Sequence, residues 1–299
     1  TPGARQGQLQ VIHSLRYGSA GTASPVAPLQ RWELVLLDAR QWQRIEDSAV
    51  ERFSDDRRDR QGLRLATVLR PARHSLVTGT LSLGREAAEL GGDALYQGSP
   101  DSWRRYSAGV ALEPALEGNL AGRSWSLRPS ALLRWYSAPD APGSDSEALW
   151  LPTYRLGSHL HVMEDLLISA SVASGGRAPS MLELLGDRRS LLPGRDLAPE
   201  RAWNADLGSI ARLTLGALRG QLELRLFGVW FEDLIRYLRN AQYSARPDNI
   251  DAGHALGIEA GLDLLFGHHA RLRAAGTWMH TRNDLNQALT YRPELQGQL

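Results

Sequence analysis

The chain has 299 residues, 42% of them hydrophobic, which is enough for one large domain or two ordinary ones. Its 34 basic residues, all arginine, balance 33 acidic ones to a formal charge of +1, so no global field points to nucleic acid. Cysteine is absent, which removes disulfide frameworks, thiolate metal sites and cysteine nucleophiles.

No run approaches the roughly 18 consecutive apolar residues a membrane-spanning helix needs. A transmembrane barrel remains open, because its strands alternate lipid-facing apolar and lumen-facing polar residues and average to a moderate hydropathy. Arginine without lysine reads as the codon preference of a GC-rich genome before it reads as selection for bidentate anion binding. Thr1 is followed by no charged-then-apolar leader, and the amino terminus looks cut.

In chain order, alternation predicts strands over Gly7–Tyr17, Arg31–Trp42, Gln61–Leu69, Arg73–Gly84, Ser102–Glu113, Trp125–Ser137, Trp150–Val162, Leu166–Ser174 and Ala202–Leu215. Three more follow. Over Gly220–Phe231, Leu222, Leu224 and Leu226 alternate with Gln221, Glu223 and Arg225. Over Ala255–Phe266 the apolar set is Leu256, Ile258, Ala260, Leu262, Leu264 and Phe266, and over Arg271–Thr281 Arg271, Arg273 and Thr277 alternate with Leu272, Ala274 and Trp278. These are about 12 strands, most of about 9 to 14 residues, longer than the 5 or 6 of soluble strands and suited to a tilted membrane crossing. Trp150, Trp230, Trp278, Tyr17 and Tyr154 fall near strand ends, where interfacial girdles put aromatic rings.

The connections alternate. Short ones are expected at Arg70–Ala72, Met163–Asp165, Ala217–Arg219 and Gly267–His269, and long polar ones at Gln43–Arg60, Arg85–Asp101, Ala138–Leu149, Gly175–Arg201, Glu232–Gly253 and Asn283–Arg292. Short turns on one side and long loops on the other are the rhythm of an outer-membrane barrel. Gly18–Gln30 and Pro114–Gly122 are longer than that rhythm wants. Ser180–Arg188 and Ala198–Asn204 have the propensity for a turn or two of helix.

Four segments resemble the barrel of TonB-dependent outer-membrane receptors. Ser169–Asp187 (SASVASGGRAPSMLELLGD) and Pro193–Gly208 (PGRDLAPERAWNADLG) are similar to that family's strand end, Arg-Ala-Pro-Ser, Glu-Leu, Gly and Leu-x-Pro-Glu pattern. Arg177, Ala178, Pro179, Ser180, Glu183, Leu184, Gly186, Leu197, Pro199 and Glu200 carry it in order. Phe227–Ile235 (FGVWFEDLI) and Asp248–Asp263 (DNIDAGHALGIEAGLD) resemble its Asp-Leu-Ile and Asn-x-x-x-Ala-x-x-x-Gly-x-Glu segments, through Asn249, Gly257 and Glu259.

The resemblance implies an all-β, antiparallel, up-and-down transmembrane barrel, here as about 12 or more strands of a barrel of about 22. One barrel domain over 1–299, without plug, energy-coupling box or aromatic-ended final strand, is the expected organisation. It also implies a bacterial outer-membrane receptor that binds and imports a metal chelate such as a siderophore, or another bulky nutrient. Its partners would be outer-membrane lipid, the small-molecule or metal-chelate ligand, and the TonB energy-coupling protein acting through a plug, with no cofactor. A passive porin and a soluble β-rich carbohydrate-binding protein are the alternatives.

Within that frame Pro179 must end its strand, and Arg177 can reach Glu183 or Glu200 to pin the long loop to the barrel rim. Gly257 and Gly261 would let a backbone or plug approach the lumen wall, or simply bend their strand. The motif residues Arg177, Pro179, Ser180, Glu183, Gly186, Pro199, Glu200, Asn249, Gly257 and Glu259 read as structural. Ligand contacts are expected in the loops 175–201 and 232–253. His159 and His161 share a strand face near Glu164 without a further placed ligand, so no metal site is expected. No phosphate loop, nucleophile elbow or acid–base constellation is present, and no enzyme is expected.

Overall fold

The computed structural model describes residues 4–19, 29–47, 52–92, 100–141, 147–187, 191–194, 196–239, 244–267, 269–284 and 295–298. Its strands are β1 (Ala4–Ser19), β2 (Leu29–Asp47), β3 (Arg52–Ala72), β4 (Ser75–Gly92), β5 (Ser102–Leu120), β6 (Arg123–Tyr136) and β7 (Leu149–Met163). After β8 (Leu166–Arg177) comes one short helix, α1 (Met181–Leu185), and then β9 (Glu200–Leu215), β10 (Leu218–Arg239), β11 (Ala245–Phe266), β12 (Ala270–Asn283) and β13 (Leu295–Gln298). They form a single 13-stranded sheet in sequence order. Every neighbouring pair is antiparallel, and β1 and β13 do not pair, so the up-and-down barrel wall is open along that seam. Among the described residues no helix is long and apolar enough to cross a membrane.

The turns fall on alternate sides, as the sequence rhythm requires. At one end sit the tight connections Arg73–His74, Ala121–Gly122, Glu164–Asp165, Gly216–Ala217 and the one after Phe266. Pro114–Gly122 is therefore not a long turn: β5 continues to Leu120, and Ala121 (φ 53) with Gly122 (φ 78) closes a two-residue hairpin whose left-handed backbone matches the twist of its strands. The turn expected at Arg70–Ala72 lies at Arg73–His74, because Ala72 pairs with Ser75 across a register shift. Between Gly18 and Gln30, positions 20–28 lie outside the described residues.

At the other end the expected loops 43–60, 85–101 and 232–253 are in good part strand, while positions 285–292 of the expected loop 283–292 lie outside the described residues. β2 and β3 stay paired from Gln43↔Asp56 to Asp47↔Arg52, and β10 and β11 from Tyr237↔Pro247 to Arg239↔Ala245, so 43–60 and 232–253 form tall hairpins. β4 likewise continues to Gly92. Sequence alternation fades there because no continuous lipid-facing side enforces a period above the apolar layer; ladder hydrogen bonds hold the strands, with isolated buried positions such as Ala88, Leu90 and Ile235 on the loop side. Ala198–Asn204 is not helical either: β9 starts at Glu200, where Arg177 pairs with it on β8. β13 was absent from the expected set; its four residues lie just past the expected loop 283–292 and are too few to show a period.

The cross-strand register sorts the side chains cleanly. Leu222↔Leu262, Leu226↔Ile258 and Leu264↔Gly220 share one face; Glu223↔Gly261, Arg225↔Glu259 and Gln221↔Asp263 share the other. The second face is the inner one, because the loop between β8 and β9 packs on it. Leu222, Leu224, Leu226, Leu256 and Ile258 on the outer face are 40–45% exposed, and every strand from β1 to β7 also carries exposed leucines. A soluble sheet buries such a face; a sheet solvated by lipid presents it. The rings of Trp135 and Trp150 (6.4 Å apart) and the cross-strand pair Trp203↔Trp230 line the outer face where the strands leave the leucine belt, and Tyr17 meets Trp32 edge-on at 5.4 Å towards the tight-turn end.

Candidate functional site

A cluster of buried side chains gathers where the β8–β9 loop meets the tall β10–β11 hairpin. Pro179 cannot continue β8 and disfavours helix at Ala178, so the chain turns inward there. Ser180 then caps α1: its Oγ accepts from the Glu183 N–H at 3.2 Å, and the Glu183 carboxylate accepts from the Ser180 N–H at 2.7 Å, a complete capping box. Gly186 (φ 75) ends the helix in a conformation side chains resist. Met181, Leu185, Leu191, Ile235 and Pro247 are buried around it, joining the loop to the tall β10–β11 hairpin. The backbone adds bonds from Leu192 N–H to Ala245 O (2.8 Å) and from Gly194 N–H to Glu183 O (2.8 Å). Gly194 is required, since a Cβ would collide with Leu197, Pro247 and the Glu183 carbonyl.

Arg177, the last residue of β8, holds this loop with both edges of its guanidinium. Nε and Nη2 donate to Glu200 at 2.6 and 2.8 Å, while Nη1 and Nη2 donate to Glu183 at 2.9 and 3.1 Å. Tyr237 Oη donates to Glu183 at 3.2 Å, and the Ile235 N–H donates to Glu200 at 3.0 Å. Burial alone would push the Glu183 carboxyl up, but the Arg177 bonds and the two from Ser180 outweigh it and hold the group below the usual carboxylate range. Asn249 closes the other side: its amide accepts from the Ala198 N–H (2.8 Å) and donates to the carbonyls of Ala198 (3.0 Å) and Asp233 (2.6 Å). Asp233 has φ 57 at the point where the β10–β11 register shifts.

Six of the motif residues, Arg177, Pro179, Ser180, Glu183, Glu200 and Asn249, thus fasten one loop, and Gly186 shapes it. Pro199 lines a cleft of about 480 Å³ with Tyr136, Pro179 and Leu184. Gly257 and Glu259 stand lower on the inner wall. The space over Gly257 is taken by the Phe227 ring of the same chain, so the close approach there is internal. Glu259 faces Arg225 at 3.5 Å, which also faces Asp206 at 3.6 Å. Gly261 has ordinary contacts only. His161 Nδ1 lies 2.9 Å from Ser124 Oγ, and among the described residues no group of three or more His, Asp or Glu could hold a metal ion.

Sequence reasoning missed the opposite anchor. Arg105 on β5, with its side chain 10% exposed, donates to Pro179 O at 2.8 Å and to Glu86 at 3.1 Å, and lies over the Tyr136 ring at 4.9 Å. Arg60 grips the other Glu86 oxygen at 2.6 Å. The loop therefore spans the concave face from the β3–β5 wall to β11. No local signal marks Arg105, because its partners are brought to it by sheet curvature. Chemically, the arrangement positions and binds: the carboxylates are engaged by arginines, and no nucleophile with a base stands among them.

The sequence pattern of the family described as TonB dependent receptor-like, beta-barrel matches residues 116–299. Among solved structures the chain is similar to the copper transporter OprC (TM-score 0.73, 15% identity), covering 96% of this chain and 48% of that one. It is also similar to the siderophore receptor PirA from Pseudomonas aeruginosa (0.67, 14%, 94% and 52%) and to the Serratia marcescens hemophore receptor HasR in complex with its hemophore HasA and heme (0.67, 14%, 93% and 49%). The chain spans about half the length of these proteins. No curated protein sequence matches it. With the family pattern covering residues 116–299, on a sheet whose outer face is leucine and whose inner face is bridged by the Arg177-clamped loop, the chain belongs to the TonB-dependent receptor β-barrel family.

Proposed function

We propose that this sheet is barrel wall of an active-transport receptor that binds and imports a metal chelate such as a siderophore, or another nutrient too bulky for porins, energised by the TonB system. The observation that carries the reading is family membership over residues 116–299. The family's barrels lie in the bacterial outer membrane, and that is where this chain lies. The copper transporter, siderophore receptor and hemophore receptor named above support a metal-linked cargo.

In this reading the whole chain is one barrel domain, and the plug on which the TonB protein pulls is supplied by the rest of the receptor. Arg177, Pro179, Ser180, Glu183, Gly186, Pro199, Glu200 and Asn249 act structurally, holding the β8–β9 loop over the mouth, while Gly257 and Glu259 shape the inner wall. Ligand contacts come from that loop and the β10–β11 hairpin. The family pattern over residues 116–299 speaks against the passive-porin alternative, and the soluble carbohydrate-binding alternative gains nothing from leucines facing out. The test is growth and uptake: a strain lacking the gene should lose uptake of at least one iron, copper or cobalamin source. That uptake should require the TonB protein and the proton gradient; uptake indifferent to both would overturn the reading.

A further inference from the structure

Between α1 and the inner wall of β1–β5 lies a cavity of about 420 Å³, within the range of small-molecule sites. One tier of the register crosses it: Gln10↔Gln41, Gln41↔Arg58, Arg58↔Ala88 and Ala88↔Trp103. Arg58 is half-buried and, unlike Arg60 and Arg105, has no hydrogen bond or ion pair to any described residue. Gln41 and Trp103, also half-buried, have none either among the described residues. A guanidinium, an amide and an indole N–H therefore face one space with their donors unused. From β2 to β5 this row is about 14 to 15 Å wide at the usual strand spacing. The rest of the lining sets the apolar Ile12, Leu37, Leu90, Met181 and Leu182 beside Gln10, Ser180 and the charged Arg40, Asp59, Arg60 and Glu86.

Half-burying a cation without a partner is costly, and an oxyanion is the group that satisfies a guanidinium bidentately. We propose that this cavity binds a small ligand carrying an oxyanion on a flat apolar body, the chemistry of aromatic carboxylates and catecholates, free or as their metal chelates. Arg58 takes the oxyanion, Gln41 and the Trp103 indole N–H take further oxygens, and Met181, Leu90 and Leu37 cover the apolar body. The inference rests on the transport reading and names the ligand class for the mouth of the same barrel. The lining carboxylates are already engaged, Glu86 by Arg60 and Arg105 and Asp59 by Arg57; with Arg40 on Asp38, Arg58 is the lining cation without a partner among the described residues.

The test uses the receptor expressed from its own gene and purified in detergent, with tryptophan fluorescence as readout. Ferric 2,3-dihydroxybenzoate, metal-free 2,3-dihydroxybenzoate and a neutral ferric trihydroxamate are the probes. At least one dihydroxybenzoate form should quench saturably, and the comparison of the two says whether the metal is needed. The quench should shrink in Trp103→Phe, binding should weaken tenfold or more in Arg58→Gln, and Arg58→Lys should recover part of it. The trihydroxamate should be indifferent to Arg58. Gln41→Glu places an acid beside Arg58 and should also weaken binding tenfold, so it decides the matter if Arg58→Gln fails to fold. Equal affinity in wild type and in both variants, or no saturable binding of either dihydroxybenzoate form, overturns the site. Arg58-dependent binding without energy-dependent uptake overturns the transport reading alone; energy-dependent uptake of the trihydroxamate without Arg58-dependent binding overturns the site alone.

Discussion

Glu183 is the residue on which the loop turns, since it is buried, caps α1, and accepts from Arg177 and Tyr237 at once. Arg177→Ala leaves that carboxylate buried without its cation, at a local cost of about 1–3 kcal/mol, reduced towards the lower end because the arginine side chain is 45% exposed. Faster hydrogen exchange at Leu184 and Gly186, whose amides close the helix, with β9 unchanged, is the expected outcome. The same clamp is pH-dependent. Because Glu183 is held below the usual carboxylate range, it stabilises the folded loop at every pH above about 4.3, and that contribution is lost as pH falls through its lowered folded value. Exchange protection at these two amides, corrected for intrinsic rates, should be flat from pH 8 to 5 on this account and fall only below the carboxylate range; a loss near pH 6 would point to another group. That Arg177 could reach Glu183 or Glu200 was legible at the proline-terminated strand, and that it holds both at once was not. Arg105 and Arg58 were not, because an arginine on an alternating strand looks the same whether its neighbours across the curve neutralise it or leave it bare.

At the scale of the element, strand existence was legible wherever one face meets lipid, and strand length was not. β3, β10 and β11 run 21, 22 and 22 residues, about twice a membrane crossing, and their polar upper halves read as loops for want of a period. The β5–β6 turn offers a clean check of local backbone logic. Ala121 sits at φ 53, where an L side chain costs about 1 kcal/mol, and Ala121→Gly should stabilise the wall by roughly that amount in urea-induced unfolding from lipid vesicles. On β11, Gly257→Ala would drive a methyl into the Phe227 ring and the Trp278 carbonyl, an overpacking cost of about 1–3 kcal/mol. Adding Phe227→Ala should relieve part of that cost, since one of the two clashes disappears. Strictly additive losses in the double variant would show that the ring is not what the glycine accommodates. The glycine was visible in the sequence, but its partner emerges only from the register Phe227↔Gly257.

For the whole molecule, burial runs opposite to that of a soluble protein: leucines face outward around the sheet, and buried side chains gather on the inner side, where an ion-paired loop meets the β10–β11 hairpin. From β9 to β12 the inner face matches its charges locally, with Arg271 and Arg273 both on Asp263 and Arg225 between Asp206 and Glu259. An arginine is tolerated there because water and carboxylates surround it; on the outer face it would meet hydrocarbon. Leu81, Leu224 and Ile258, exposed by 40–48%, lie on that outer face. Replacing any one with arginine should cost about 2–4 kcal/mol at mid-bilayer and less towards either aromatic strip. Glu223→Arg, one position along from Leu224 and facing inward, should cost well under that. The measurement is equilibrium folding of the receptor into lipid vesicles against guanidinium, with strand circular dichroism as the signal. If Leu224→Arg and Glu223→Arg prove equally harmless, the face carrying Leu224 is solvated by water, and the sheet's orientation argued from its register fails; a deficit confined to Leu224→Arg and Leu81→Arg, graded with distance from the Trp135–Trp150 strip, is what a lipid-facing wall requires.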